Sequence, residues 1–172
     1  MNNRDMTILL AALSFFANVT QAQVPARPDV VFKLATFATD GIDRVGILIG
    51  GRLFDLQHAN SYLVAEAGVP SVAIPIDMKG LIEQSDTTKP RLFQIANYLG
   101  DRADDLSFGY DPDDVSIKAP IKYPWNLLAA GQNYRAHAEE MGGSSDIDPD
   151  EDDPFLFAKS PRSSIIDPGE PY

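Results

Sequence analysis

A chain of 172 residues, 44% hydrophobic and 23% charged, has ordinary globular composition and enough apolar mass to bury a core, so it is not a disordered tail. Its formal net charge of -11 repels phosphate backbones and anionic headgroups, so nucleic acid is not an expected partner. The lack of cysteine excludes disulfides, thiolate-bound zinc and a thiol nucleophile.

Residues 7–19 (TILLAALSFFANV) are apolar, follow a short start containing Arg4 and precede Thr20, Gln21 and Ala22. A positive start, a short apolar middle and a small residue at the cut are the pattern of a secretory signal peptide. The expectation is a signal peptide over 1–22 and a periplasmic or secreted product; a cytoplasmic location is the alternative, because Asp5 offsets Arg4. The apolar stretch falls short of the roughly 20 residues that span a bilayer, so no membrane association is expected after cleavage. Residues 23–30, with Pro25 and Pro28, read as a linker.

From residue 31 the pattern turns to strands, VFKLATF, RVGILIG and RLFDL, separated by turn residues around Asp40-Gly41 and at Gly50-Gly51. The result is a three-stranded meander whose central strand alternates poorly, which points to cover on both faces. A helix is expected over residues 60–67, stopped by Gly68, and a second over 90–99, with Pro90 at its start and Gly100 at its end. Leu92, Ile95, Ala96 and Leu99 share one face of the second. Residues 70–85 carry no clear pattern. Composition shifts at Asp111-Pro112-Asp113-Asp114, and VSIKAPI and NLLAA beyond it read as new strands. This places a small N-terminal domain at 31–114 and the start of a second at 115–172. The second part has too few strands to bury much alone and is expected to continue in further residues.

Chemistry concentrates in GQNYRAHAEEMG, residues 131–142. A helix from Asn133 puts His137 and Glu140 three apart on one face. A carboxylate beside an imidazole fixes its orientation and favours its charged form, giving a proton-transfer pair near neutral pH. By spacing alone the same two residues are more often a surface pair. The acidic run Asp146, Asp148, Asp150, Glu151, Asp152 and Asp153 has the start of a calcium-loop spacing, but Glu151 stands where the loop needs glycine and Phe157 where it needs glutamate. It reads instead as a solvated insertion or lid. Neither a nucleophile elbow nor a phosphate-binding glycine loop is present.

The run NLLAAGQNYRAHAEEMG followed by FLFAKSPRSSIIDPGEP resembles the opening of the catalytic domain in the fumarylacetoacetate hydrolase family. There a strand ending in Gly-x-Asn-Tyr leads into His-x-x-Glu, and a later strand ends in Phe-x-Lys-x-Pro-x-Ser. The earlier KLATF, GILIGGRLFDL and KAPI stretches resemble the small N-terminal domain of many bacterial members. The resemblance implies an α+β chain: a small domain of β-meander plus helices, then the first strands and helix of a mixed β-sandwich or roll. It implies His137 and Glu140 as the catalytic pair activating water, and Asn133, Tyr134, Lys159 and Ser163 as substrate-binding residues, although Ser163 also reads as a turn residue. It further implies a divalent cation (magnesium, manganese or calcium) and a small anionic acylpyruvate, 1,3-dicarbonyl or 2-oxo-acid substrate whose carbon-carbon bond is hydrolysed. A same-family isomerase or decarboxylase shares these front-end residues, and a catalytically inactive secreted remnant serving as an association module is a further alternative. No metal ligand is assignable: the family's Glu-x-Glu and Asp are expected beyond Tyr172, and Ala130 stands where the fumarylacetoacetate enzyme itself has an Asp. The chain is therefore expected to be C-terminally truncated; a homodimer is expected of a full-length form.

Overall fold

The computed structural model describes residues 27–131, 135–140, 142, 153 and 155–171. The expected signal peptide, Asn133, Tyr134 and the acidic run up to Asp152 lie outside these residues. Strands β1 (Phe32–Thr39), β2 (Ile42–Ile49) and β3 (Arg52–Asp55) form the expected antiparallel meander. Its turns are two residues each, and Asp40, Gly41, Gly50 and Gly51 all have positive φ, which matches the twist of the flanking strands. Val45, Gly46 and Ile47 are buried in succession on β2, so this strand is covered on both faces, as its weak alternation indicates.

Helices α1 (Leu56–Ala67), α2 (Met78–Glu83) and α3 (Ser85–Gly100) bring apolar side chains to one core. Val45, Ile47, Ile49 and Phe54 of the sheet meet Leu63, Leu92, Ile95 and Leu99 of the helices there. Fully burying such side chains contributes roughly 1.5–3 kcal/mol each, so this layer supplies most of the fold's stability.

Three elements differ from expectation. Helix α1 begins four residues before Asn60, because Asp55 at the end of β3 caps it directly: Asp55 Oδ1 accepts from the amides of Gln57 (2.8 Å) and His58 (3.0 Å). Helix α3 begins at Ser85 and carries Pro90 inside. The missing amide falls in its second turn, and the buried Thr88 hydroxyl reinforces that turn by donating to the Gln84 carbonyl at 3.0 Å. The unassigned stretch 70–85 contains α2, capped by Asp77, whose Oδ1 accepts from the Gly80 amide at 2.8 Å.

Strand β4 (Ser116–Lys118), which composition groups with the segments after it, pairs instead with β1, giving the sheet order β3-β2-β1-β4. β1 would otherwise be an open edge, and an unpaired row of backbone groups attracts any nearby strand. Beyond it, β5 (Leu127–Ala130) and β6 (Leu156–Lys159) form a separate two-stranded antiparallel ladder, with the short helix α4 (Arg135–Glu140) between them in sequence. No helix among the described residues is long and apolar enough to cross a membrane.

Candidate functional site

The β5–β6 ladder carries the residues singled out by sequence. Leu127 pairs with Lys159 and Ala130 with Leu156, so the ladder's two ends carry different elements. At one end, the Gly131 amide donates to the Phe155 carbonyl at 2.8 Å and the chain then enters α4. At the other end stands Lys159, its Nζ 5.9 Å from the centre of the Phe157 ring. From Leu156 to Lys159 is three strand rises, about 10 Å.

On α4, His137 Nδ1 lies 3.7 Å from Glu140 Oε2, with side chains 37% and 75% exposed. The expected helical register thus brings imidazole and carboxylate together, at ion-pair rather than hydrogen-bond distance. Lys159 is exposed at the end of β6. Ser163 lies in a turn in which its amide donates to the Ser160 carbonyl at 3.4 Å, so its backbone has the turn role.

Among the described residues, no three His, Asp or Glu side chains converge so as to hold a metal ion. His137 and Glu140 supply two donors, which does not fit a cation by itself, so no chemical step is derived through one.

Sequence reasoning missed a cleft of about 490 Å³ between the first sheet and the segment after β6, lined in part by Arg44, Lys118, Lys122, Tyr123, Asp167 and Glu170. Its wall is a charged clasp. Asp167 Oδ1 accepts from the Ala119 amide at 2.8 Å, while Asp167 Oδ2 lies 3.5 Å from Lys118 Nζ and 3.3 Å from Lys122 Nζ. Glu170 lies 2.6 Å from Lys122 Nζ and also accepts from the Asp167 amide at 2.8 Å. The Ala119 amide, aided by the lysines, holds the Asp167 carboxyl below its ordinary range. Lys122, with the Asp167 amide second, lowers Glu170, and Glu170 in turn raises Lys122. Arg44 in the same wall is already paired with Asp55 at 2.8 Å, which raises its pKa. Lys118, Lys122 and Arg44 each have a carboxylate, so these groups offer no unmatched charge to an anionic substrate, and none of His137, Glu140, Lys159 or Ser163 lines the cleft. The clasp is a structural joint, and the α4 pair remains the better candidate for chemistry. A signal for the joint was present in the sequence as Lys118-x-x-x-Lys122 and Asp167-x-x-Glu170, but the partners are 48 positions apart and spacing alone does not bring them together.

No family model matches the chain. Over 120 residues it is 34% identical to the oxaloacetate tautomerase YisK of Bacillus subtilis (strain 168), an alignment covering 68% of this chain and 37% of that protein. The chain therefore spans little more than a third of the curated relative that it matches. That relative is an enzyme by its name.

Proposed function

We propose that the chain belongs to a fumarylacetoacetate hydrolase-family enzyme that moves a proton at the carbon next to the carbonyl of a small 2-oxo-acid, interconverting its keto and enol forms. The observation carrying this reading is the 34% identity to an oxaloacetate tautomerase. The His137–Glu140 pair at 3.7 Å supports it, since such chemistry needs a proton-transferring base and a group to orient it.

In this reading oxaloacetate presents its C3–H to the His137 imidazole. The proton passes to the ring, the C3–H electron pair becomes the C2–C3 double bond, and the C2 oxygen takes a proton to complete the enol. Return of a proton to C3 reverses the sequence, so atoms and charge balance without a further reactant. Glu140 orients the ring. The family resemblance assigns substrate binding to Lys159, Asn133 and Tyr134, although the ladder leaves Lys159 at the end away from Gly131.

Hydrolysis of an acylpyruvate carbon-carbon bond is the second reading, favoured by the same family motifs. It shares the proton-transferring pair but directs the pair to a water molecule. The two are separated by incubating the purified chain, with and without magnesium, with oxaloacetate and with an acylpyruvate. Faster loss of the enol absorbance of oxaloacetate without cleavage of either compound supports tautomerisation. Release of pyruvate from the acylpyruvate supports hydrolysis instead.

A further inference from the structure

We infer that the two loops at the Lys159 end of the β5–β6 ladder form a small-molecule site for a flat aromatic carboxylate. An open cleft of about 470 Å³ lies there, lined by Tyr123 and Pro124 from the segment entering β5 and by Pro161 and Arg162 from the segment leaving β6. The ladder sets these two walls side by side, because Leu127 pairs with Lys159. Each wall is also held in place. Lys122, next to Tyr123, is tied to Glu170 at 2.6 Å. The Ser163 and Ser164 amides donate to the Ser160 carbonyl at 3.4 and 3.1 Å, closing a turn with Pro161 and Arg162 at its centre. A site held in this way is preformed, so a ligand meets little cost of ordering it. Neither His137 nor Glu140 lines the cleft, so its ligand does not depend on the role proposed for that pair.

Charge and shape select the ligand. The larger cleft is lined by four cations, and each has a carboxylate: Arg44 has Asp55, Lys79 has Glu83, Lys118 has Asp167, and Lys122 has Asp167 and Glu170. Arg162 has no ion pair or hydrogen bond among the described residues, although the chain carries 25 Asp and Glu against 14 Lys and Arg. Its guanidinium is a rigid fork that matches a carboxylate with two parallel hydrogen bonds. Three rings share the cleft with it. Tyr123 is 67% exposed, and its face offers stacking surface to a second flat ring. Pro124 and Pro161 are half-buried, have no side-chain freedom to lose and no amide N–H to donate, so they favour an apolar body over a polar one. A carboxylate on a flat ring uses both features. An alkyl carboxylate uses the cation alone, and a neutral ring the stacking surface alone.

The test uses the 172-residue chain with 2-naphthoate as the probe, in about 0.15 M salt, where a Debye length of about 8 Å screens the remote acidic groups. Resonances of the Tyr123 ring and of the Arg162 Nε–H are followed by NMR. They are expected to shift together and to saturate with a Kd of about 1 mM. 2-Naphthamide, which lacks the charge, and cyclohexanecarboxylate, which lacks the flat ring, should each bind at least about fivefold more weakly. Arg162→Gln and Tyr123→Ala should each weaken 2-naphthoate about fivefold without moving the urea midpoint, since both side chains are exposed, and Tyr123→Phe should bind as the wild type does. Absence of saturable shifts, equal binding of cyclohexanecarboxylate, full affinity in Arg162→Gln, or shifts centred on Lys118 and Lys122 instead would each overturn the inference.

Discussion

At the scale of single residues, the first sheet shows how tightly side-chain volume is specified. Gly46 sits on β2 where a Cβ would lie 2.7 Å from Leu53 Cδ1 and 2.9 Å from Phe37 Cε1, both fully buried side chains. Gly46→Ala is expected to destabilise the chain by about 1–3 kcal/mol through overpacking, read as a lower urea midpoint at unchanged slope. Arg91 is the opposite case. It is 3% exposed and donates to the Pro70 carbonyl, yet Nε and Nη1 have no partner among the described residues, and burial lowers its pKa. A buried charge without a counter-charge is costly, and an apolar side chain of similar length relieves that cost. Arg91→Met should raise the stability by about 1 kcal/mol, Pro70 being an exposed residue; a loss of stability would show that the guanidinium has a counter-charge.

Among elements, the helices and strands of the first sheet were largely legible because their signals are local. Turn residues with positive φ at 40–41 and 50–51 delimit the strands, and the apolar face of α3 follows from Leu92, Ile95, Ala96 and Leu99. The starts of α1 and α3 were not legible. Asp55 is both a strand residue and a cap, and Pro90 resembles a helix start wherever it falls in the first two turns. The membership of β4 and the clasp from Lys118 and Lys122 to Asp167 and Glu170 depend on long-range pairing that no local pattern encodes. The clasp has a pH window. Asp167 and Glu170 have folded pKa values below their ordinary 3.8 and 4.5, so their contribution is present above those values and is lost as pH falls through the lowered ones. Lys122 is raised above 10.5, so its contribution holds below that value and is lost as pH rises through the raised one. The protection of the Ala119 amide, measured against its intrinsic exchange rate at each pH, should therefore hold through neutral pH and fall selectively in acid. Asp167→Asn should remove the acid dependence, and protection at Ala119 that ignores acid would contradict the joint.

For the molecule as a whole, stability and chemistry sit in different places. Core burial is concentrated in β1 to β3 and α1 to α3, whereas all four residues of β6 are exposed and the ladder has two strands among the described residues. An isolated two-stranded ladder is marginal in water, so native-state hydrogen exchange should protect β1 and β2 up to the global unfolding free energy and leave β5 and β6 far below it. Equal protection in both sheets would show that the ladder has a core of its own. The candidate site was readable in the sequence to the extent that His137 and Glu140 share a helical register, and that register holds at 3.7 Å. Lys159 is not brought to the pair by the ladder, because its register puts it at the opposite end from Gly131.

The central claim is that the His137 imidazole carries a proton to and from the carbon beside a carbonyl. Deuterium uptake at C3 of oxaloacetate, followed by NMR in heavy water with wild type and His137→Gln, tests it most directly. The account predicts uptake well above the spontaneous rate with wild type and a loss of at least about 10²-fold in the catalysed part with the variant. Catalysed uptake by His137→Gln within twofold of wild type would contradict it.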